Sequence, residues 1–229
     1  MYINDEETAE ETAEEKGMSG SYTPLEEDSY LISPKFKASC WKILDLSEPD
    51  SPDWKRAVKI FYDRLNGRFL APIKSIEEHA DPRVKWFNGF SIIALDCLVI
   101  ETLYQFYYGV DETDIGHNSA FWRFFKASPY FSQHFTREKS SKFYSHFRCG
   151  LLHQGHTKEY STIRVNQPKM VQFVDVREPS KGLIIDREKF HKALLNEIEH
   201  YRRRLLVPQS EEDFELRECF VMKMNFIVK

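Results

Sequence analysis

Apolar residues recur every three or four positions over most of this chain, the spacing that places one face of a helix against a core. A first helix is predicted from Ser51 as N-cap and Pro52 at the first helical position, a favoured start pair. It carries Trp54, Ala57, Val58, Phe61, Leu65 and Phe69 and stops before Pro72, with a short helix over 73–78 to follow. Asp81-Pro82 opens the next, over 83–109. Its Trp86, Phe87, Phe90, Ile93, Ala94, Cys97, Leu98, Ile100, Leu103, Tyr104, Phe106 and Tyr107 leave little polar face. Such a helix belongs at the centre of a bundle or in a dimer interface, and Gly109 suits its C-cap. Helices over 118–127 and 137–153 come next, the latter starting near Thr136.

The period then changes. Segments 161–165, 170–176 and 182–185 alternate apolar and polar residues and are rich in β-branched side chains. Asn166-Gln167-Pro168 and Glu178-Pro179-Ser180 separate them. They predict short antiparallel strands. Helical spacing resumes over 187–206 (Phe190, Ala193, Leu194, Ile198, Tyr201, Leu205) and again over 211–226. The expected fold is therefore all-α, a helical bundle with a small antiparallel β appendage at about 161–185. Residues 1–50 form a tail and irregular lead-in, and 51–229 form the domain.

Composition changes this picture in two places. The chain has 229 residues, 41% of them hydrophobic and 14% aromatic, enough for one sizeable core. Its net charge of −4 is uneven: residues 1–28 carry ten acids against Lys16 alone, so that the remainder is positive by five. A like-charged stretch with few apolar residues predicts a disordered or loosely held arm. It is either a plain solvated tail or a phosphate mimic lying over a basic site. No uninterrupted apolar run approaches the length a bilayer demands, and the N-terminus is acidic. These features predict a cytoplasmic protein with neither signal peptide nor membrane partner. Four scattered cysteines (Cys40, Cys97, Cys149, Cys219) predict free thiols.

The chemistry concentrates in Arg148-Cys149-Gly150-Leu151-Leu152-His153, at the end of the 137–153 helix. Arginine offers a planar fixed cation for phosphate, and histidine moves protons near neutral pH. With 14 arginines and 8 histidines in the chain, one Arg-x4-His spacing is no surprise, so spacing alone decides nothing. Its bland explanation is a surface arginine beside a histidine favoured by the helix C-terminus.

Context adds to the motif. On these residues, on the run GFSIIALDCLVIETLYQFYYG over 89–109 and on FYSHFRCGLLHQ over 143–154, the chain resembles the HEPN superfamily. These are compact helical bundles whose ribonuclease members carry Arg-x4–6-His at the end of a late helix. The resemblance covers about 54–206. It implies metal-independent RNA cleavage by a toxin or defence effector, without cofactor. The ribose 2′-hydroxyl attacks its own phosphate, His153 acts as general acid and base, and Arg148 stabilises the developing charge. It further implies a homodimer whose two motifs share a cleft, and an antitoxin or regulatory protein as a possible partner. One position departs from the family: Cys149 stands where a polar residue such as asparagine is common. The rival expectation is a non-catalytic helical module that binds a nucleotide or a protein.

Supporting residues are expected nearby. At about 100° per residue, positions 148 and 153 lie about 140° apart on an ideal helix, so either Gly150 distorts the turn or a second subunit closes the gap. Asp96 interrupts the apolar 83–109 helix and needs a partner, either Arg148 or His153, or else a backbone hydrogen bond. Glu101 and Gln105 form a polar stripe that is either wetted or turned to the cleft. His146 is either an RNA contact or a packed helix histidine; a zinc site with His156 and Cys149 lacks the spacing of a structural finger. Tyr144 could stack on a base or simply fill the bundle. Lys142, Lys158 and Arg164 could meet backbone phosphates, though a solvated face explains them equally. No P-loop, GxGxxG, GxSxG or HExxH is present.

Overall fold

The computed structural model describes residues 30–113, 116–174 and 182–229. The acidic arm and the predicted turn at 178–180 lie outside the described residues. Ten helices and three short strands follow in order among the described residues. Regular structure begins earlier than expected, with α1 (Ala38–Lys42), whose buried Trp41 gives its indole N–H to Asn225. Helix α2 (Asp53–Leu65) starts where the Ser51-Pro52 signal predicts. It does not stop before Pro72, however. It continues through a π-helical turn (Asn66–Leu70) into α3 (Ala71–Glu77). In that wider turn the Ala71 N–H bonds the Asn66 carbonyl five residues back. Proline, which has no N–H and crowds the preceding turn of a regular helix, follows immediately.

The expected 83–109 helix is in fact two. A short α4 (Pro82–Phe87) is capped by the Asp81 side chain and ends at Asn88. Helix α5 (Gly89–Tyr108) then runs to Gly109, which takes a left-handed conformation at φ 63°. It packs against α6 (His117–Ala127), α9 (Arg187–Leu206) and α10 (Glu211–Ile227). Among the described helices α5 alone is long and apolar enough, by length and composition, to cross a membrane, and half of that stretch is buried inside the fold. Asp96 and Glu101 interrupt the stretch, so it is not a continuous apolar run.

The site-bearing segment is one continuous helix with a defect. Thr136 caps α7 (Arg137–Phe143), accepting a hydrogen bond from the Lys139 N–H. A second π-helical turn covers Tyr144–Arg148, closed by the Cys149 N–H on the Tyr144 carbonyl, and α8 (Cys149–Gln154) follows. Ser140, Phe143, Phe147 and Leu151 face the core. Phe143 stacks on Phe190 of α9 at 5.0 Å between centroids and on Phe147 at 5.3 Å, inside a cluster that includes Phe125, Phe131 and Phe135.

Strands β1 (Thr162–Arg164), β2 (Val171–Phe173) and β3 (Leu183–Asp186) form a mixed sheet in the order β1-β3-β2, not the antiparallel one expected. β1 pairs with β3 in parallel, Ile163 opposite Ile185, whereas β2 pairs with β3 antiparallel, Val171 opposite Ile185. The central position falls to β3, the most apolar of the three, so β1 and β2 never meet as a hairpin. β3 runs straight into α9. Asp186 caps that helix through the Lys189 N–H and accepts the Gln167 N–H with its other oxygen, tying sheet to bundle.

Gly150 does not end its helix. That role belongs to Gly155, which lies at φ 63° and returns its N–H to the Leu151 carbonyl. Gly150 instead lets the following loop cross over it: a Cβ there would stand 2.4 Å from the His156 carbonyl oxygen. Gly150→Ala gains helix propensity of about 1 kcal/mol, but it drives backbone into backbone, a cost of about 1–3 kcal/mol. The clash wins, and we expect Tm in thermal unfolding to fall, by about 2–4 °C per kcal/mol of net loss.

Candidate functional site

The buried phenylalanine face of the α7–α8 helix turns Tyr144 and Arg148 toward α5. There the Arg148 guanidinium meets Glu101, with Nε 2.8 Å from Oε1 and Nη2 3.3 Å from Oε2. The two side chains are 14% and 12% exposed, so solvent screens the pair only partly. Burial works against the guanidinium's charge, but Glu101 more than offsets it, and the Arg148 pKa lies above the ordinary arginine value. The remaining arm of the fork, Nη1, lies 3.2 Å from Nε2 of His153. Arginine can only donate, so Nε2 accepts and the imidazole proton resides on Nδ1.

Arg148 and His153 therefore meet within one chain. Neither a distorted Gly150 nor a second subunit is required to bring them together. The arginine side chain spans the angular gap that separates the two Cα positions, its head drawn to α5 while His153 sits exposed on the last turn. Tyr144 completes the cluster, its ring 5.8 Å from the guanidinium carbon. Burial and a hydrogen bond with Cys149 push its pKa up to about 12, so it stays protonated at neutral pH. Cys149 thus occupies its position as a partner of the tyrosine, half-buried.

Two expected members are elsewhere. Asp96 is fully buried between α5 and α9, where its Oδ1 lies 2.8 Å from Nδ1 of His191, not beside Arg148 or His153. Five residues of α5 separate it from Glu101, placing the two carboxylates on different faces of that helix. His146 is buried under the loop that follows α8, with Nδ1 2.9 Å from the Ser161 Oγ. It is a packed histidine and makes no contact with the Arg148 cluster. Of the basic candidates, Lys158 is half-buried in that loop, its N–H on the His146 carbonyl. Lys142 stands on α7, and Arg164 is exposed on β1. Among the described residues no group of three or more histidines, cysteines or acids is placed to hold a metal ion.

A further surface lies on α4 and the start of α5. Trp86 and Phe87, read as bundle core or dimer interface, are 68% and 85% exposed, and Phe90 is exposed beside them with its ring 6.1 Å from that of His156. The signal for this was Asn88-Gly89, a breaker pair inside the apolar run. The arrangement as a whole can hold an anion at Arg148, shuttle a proton at His153 and present aromatic rings nearby. Comparison of the chain with models of protein families, with curated proteins and with solved structures finds no match.

The His146 environment carries a pH signature. Ser161 Oγ accepts the Leu183 N–H and lies 2.9 Å from His146 Nδ1, where its own proton can serve a neutral ring. Burial, then the Lys142 charge, lower the His146 pKa. Its contribution is thus complete above the unfolded histidine value of about 6.5 and is lost as pH falls through the lower folded value. His146→Asn keeps the acceptor without the titration. Comparing Tm at pH 8 and pH 5 should show the wild type losing more stability on acidification than this variant.

Proposed function

We propose that Arg148, His153 and Glu101 form an RNA phosphodiester-cleaving site of the HEPN type. The observation that carries this reading is the 3.2 Å contact between Arg148 Nη1 and His153 Nε2, with the guanidinium held from behind by Glu101. His153 stands on an exposed helix end with its Nε2 against Arg148 Nη1; when a substrate phosphate draws that Nη1 donor to itself, the freed Nε2 lone pair takes the proton of a ribose 2′-hydroxyl. That oxygen then attacks the adjacent phosphorus, and the leaving 5′-oxygen is protonated, giving a cyclic phosphate and a free 5′-hydroxyl. General acid–base action of this kind contributes roughly 10²–10⁴-fold. Arg148, already fixed in direction, stabilises negative charge as it grows on the phosphoryl oxygens. Because the side chain is preorganised by Glu101, little ordering remains at the moment of reaction.

The π-helical turn that ends on Arg148 also supports the reading, since such turns concentrate at functional positions. Substrates are single-stranded or looped RNA, whose riboses can reach in-line geometry. A homodimer would bring two such clusters to one groove. A second reading, a non-catalytic module that binds nucleotide or protein, is favoured by the exposed Trp86 and Phe87.

Cleavage of a single-stranded RNA in EDTA distinguishes the two. Wild-type activity should survive chelation. Arg148→Ala and His153→Ala should each lower the rate by about 10²-fold or more, and Glu101→Gln should fall between them and wild type. Activity in His153→Ala equal to that of wild type overturns the catalytic reading.

A further inference from the structure

Beyond the Arg148 cluster, the start of α9 holds a buried polar group that the fold leaves largely unpartnered. Arg187, the first residue of that twenty-residue helix, is 8% exposed. Its Nε and Nη1 are buried and have no hydrogen-bond partner, while Nη2 reaches the Lys85 carbonyl at 3.4 Å, longer than a good bond. Buried guanidinium nitrogens are rarely left so, because the desolvation is uncompensated. The adjacent carboxylate does not relieve it: the Asp186 oxygens are taken by the N–H groups of Lys189 and Gln167. Arg187 lines a pocket of about 200 Å³, walled by Trp86, Phe87, Phe90 and Ile163, with Arg164 at its edge. Gly89 makes this possible by bringing α5 against β1; a Cβ there would stand 2.9 Å from Ile163 Cγ2.

Three properties together select a ligand. A buried cation with two unpartnered nitrogens, reinforced by an exposed second arginine, calls for an anion. The volume, near that of six or seven waters at ~30 Å³ each, admits a phosphoryl group and part of a sugar but no more. Outside it, the largely exposed rings of Trp86 and Phe87 offer flat apolar surface for a planar group, the usual platform for a base. We propose that this pocket is a nucleotide-binding site. The phosphate meets Arg187 and Arg164, and the base stacks on Trp86 or Phe87. The site is separate from Arg148 and His153, and the proposal does not rest on RNA cleavage. The nucleotide is either free or part of an RNA strand.

Binding can be read by tryptophan fluorescence and calorimetry in EDTA, on the full chain. The probes are adenosine 5′-monophosphate, adenosine, inorganic phosphate and a short 2′-O-methyl oligoadenylate, which has no 2′-hydroxyl nucleophile and cannot be cut. The monophosphate or the oligonucleotide should bind and quench, with adenosine and phosphate each at least tenfold weaker. Tighter binding of the monophosphate identifies a free nucleotide, and tighter binding of the oligonucleotide identifies an RNA strand. Arg187→Met keeps the packing without the charge, an exchange that buried cations often tolerate, and should weaken binding at least tenfold with Tm unchanged or raised. Trp86→Ala, at an exposed position, should weaken it about five- to a hundredfold. The proposal is overturned if neither probe binds, or if Arg187→Met binds as wild type does. It is equally overturned if neither probe binds and sedimentation shows a dimer that Trp86→Ala dissociates, for the aromatic patch is then a self-interface.

Discussion

The stacking of Phe143 against Phe190 and Phe147 sets the rotation of the helix on which the candidate site stands. Each such aromatic pair contributes about 0.5–1.5 kcal/mol beyond simple burial. More important is the direction it imposes. With Ser140, Phe143, Phe147 and Leu151 turned inward, Tyr144 and Arg148 have one course left, toward α5 and Glu101. The ion pair therefore selects among few orientations, because packing has already removed most of the others.

Three buried polar arrangements on α5 and α9 show how differently a charged side chain can serve one bundle. Asp96 and His191 close on each other in the interior. Burial pushes the Asp96 pKa up, while Asp96, working against burial, raises that of His191. Glu197 accepts hydroxyls from Tyr107 and Ser128 and is sealed between helices. Only Glu101 holds a partner whose remaining donor reaches the surface, at His153. Burial alone therefore does not distinguish these carboxylates; what the partner of each can still touch does.

The helices were largely legible in the pattern of apolar positions. Residues 187–206 and 211–226 fall within a residue of α9 and α10, the first of which starts at the Asp186 cap. What periodicity could not convey was irregularity within a helix. A π-helical turn leaves an apolar pattern nearly intact, so both such turns were read as ordinary helix or as a stop. Trp86 and Phe87 read as core because exposed and buried aromatics look alike in one dimension. The parallel pairing of β1 with β3 escaped notice because nothing local to either strand records which neighbour it will find. At the site, Arg148, His153, Glu101 and Tyr144 were within reach of sequence reasoning, being confined to two helices with distinctive polar interruptions. For Asp96 the sequence offers Arg148, His153 or a backbone hydrogen bond, and none of these is its partner, His191, which lies 95 positions along the chain. Arg187 was invisible, because only the folded structure reveals which cation keeps two buried nitrogens without an acceptor.

The turn over Tyr144–Arg148 has a consequence for how this chain can evolve. Such a turn amounts to a regular helix that has absorbed one surplus amino acid. Loss of a single codon there would restore regular winding with the flanking helices still in register, and would redirect only the side chains of the turn itself, Arg148 among them. The phenylalanine anchor upstream would be untouched, yet the guanidinium would leave its carboxylate. A change of length by one would therefore act on this turn and spare the bundle around it.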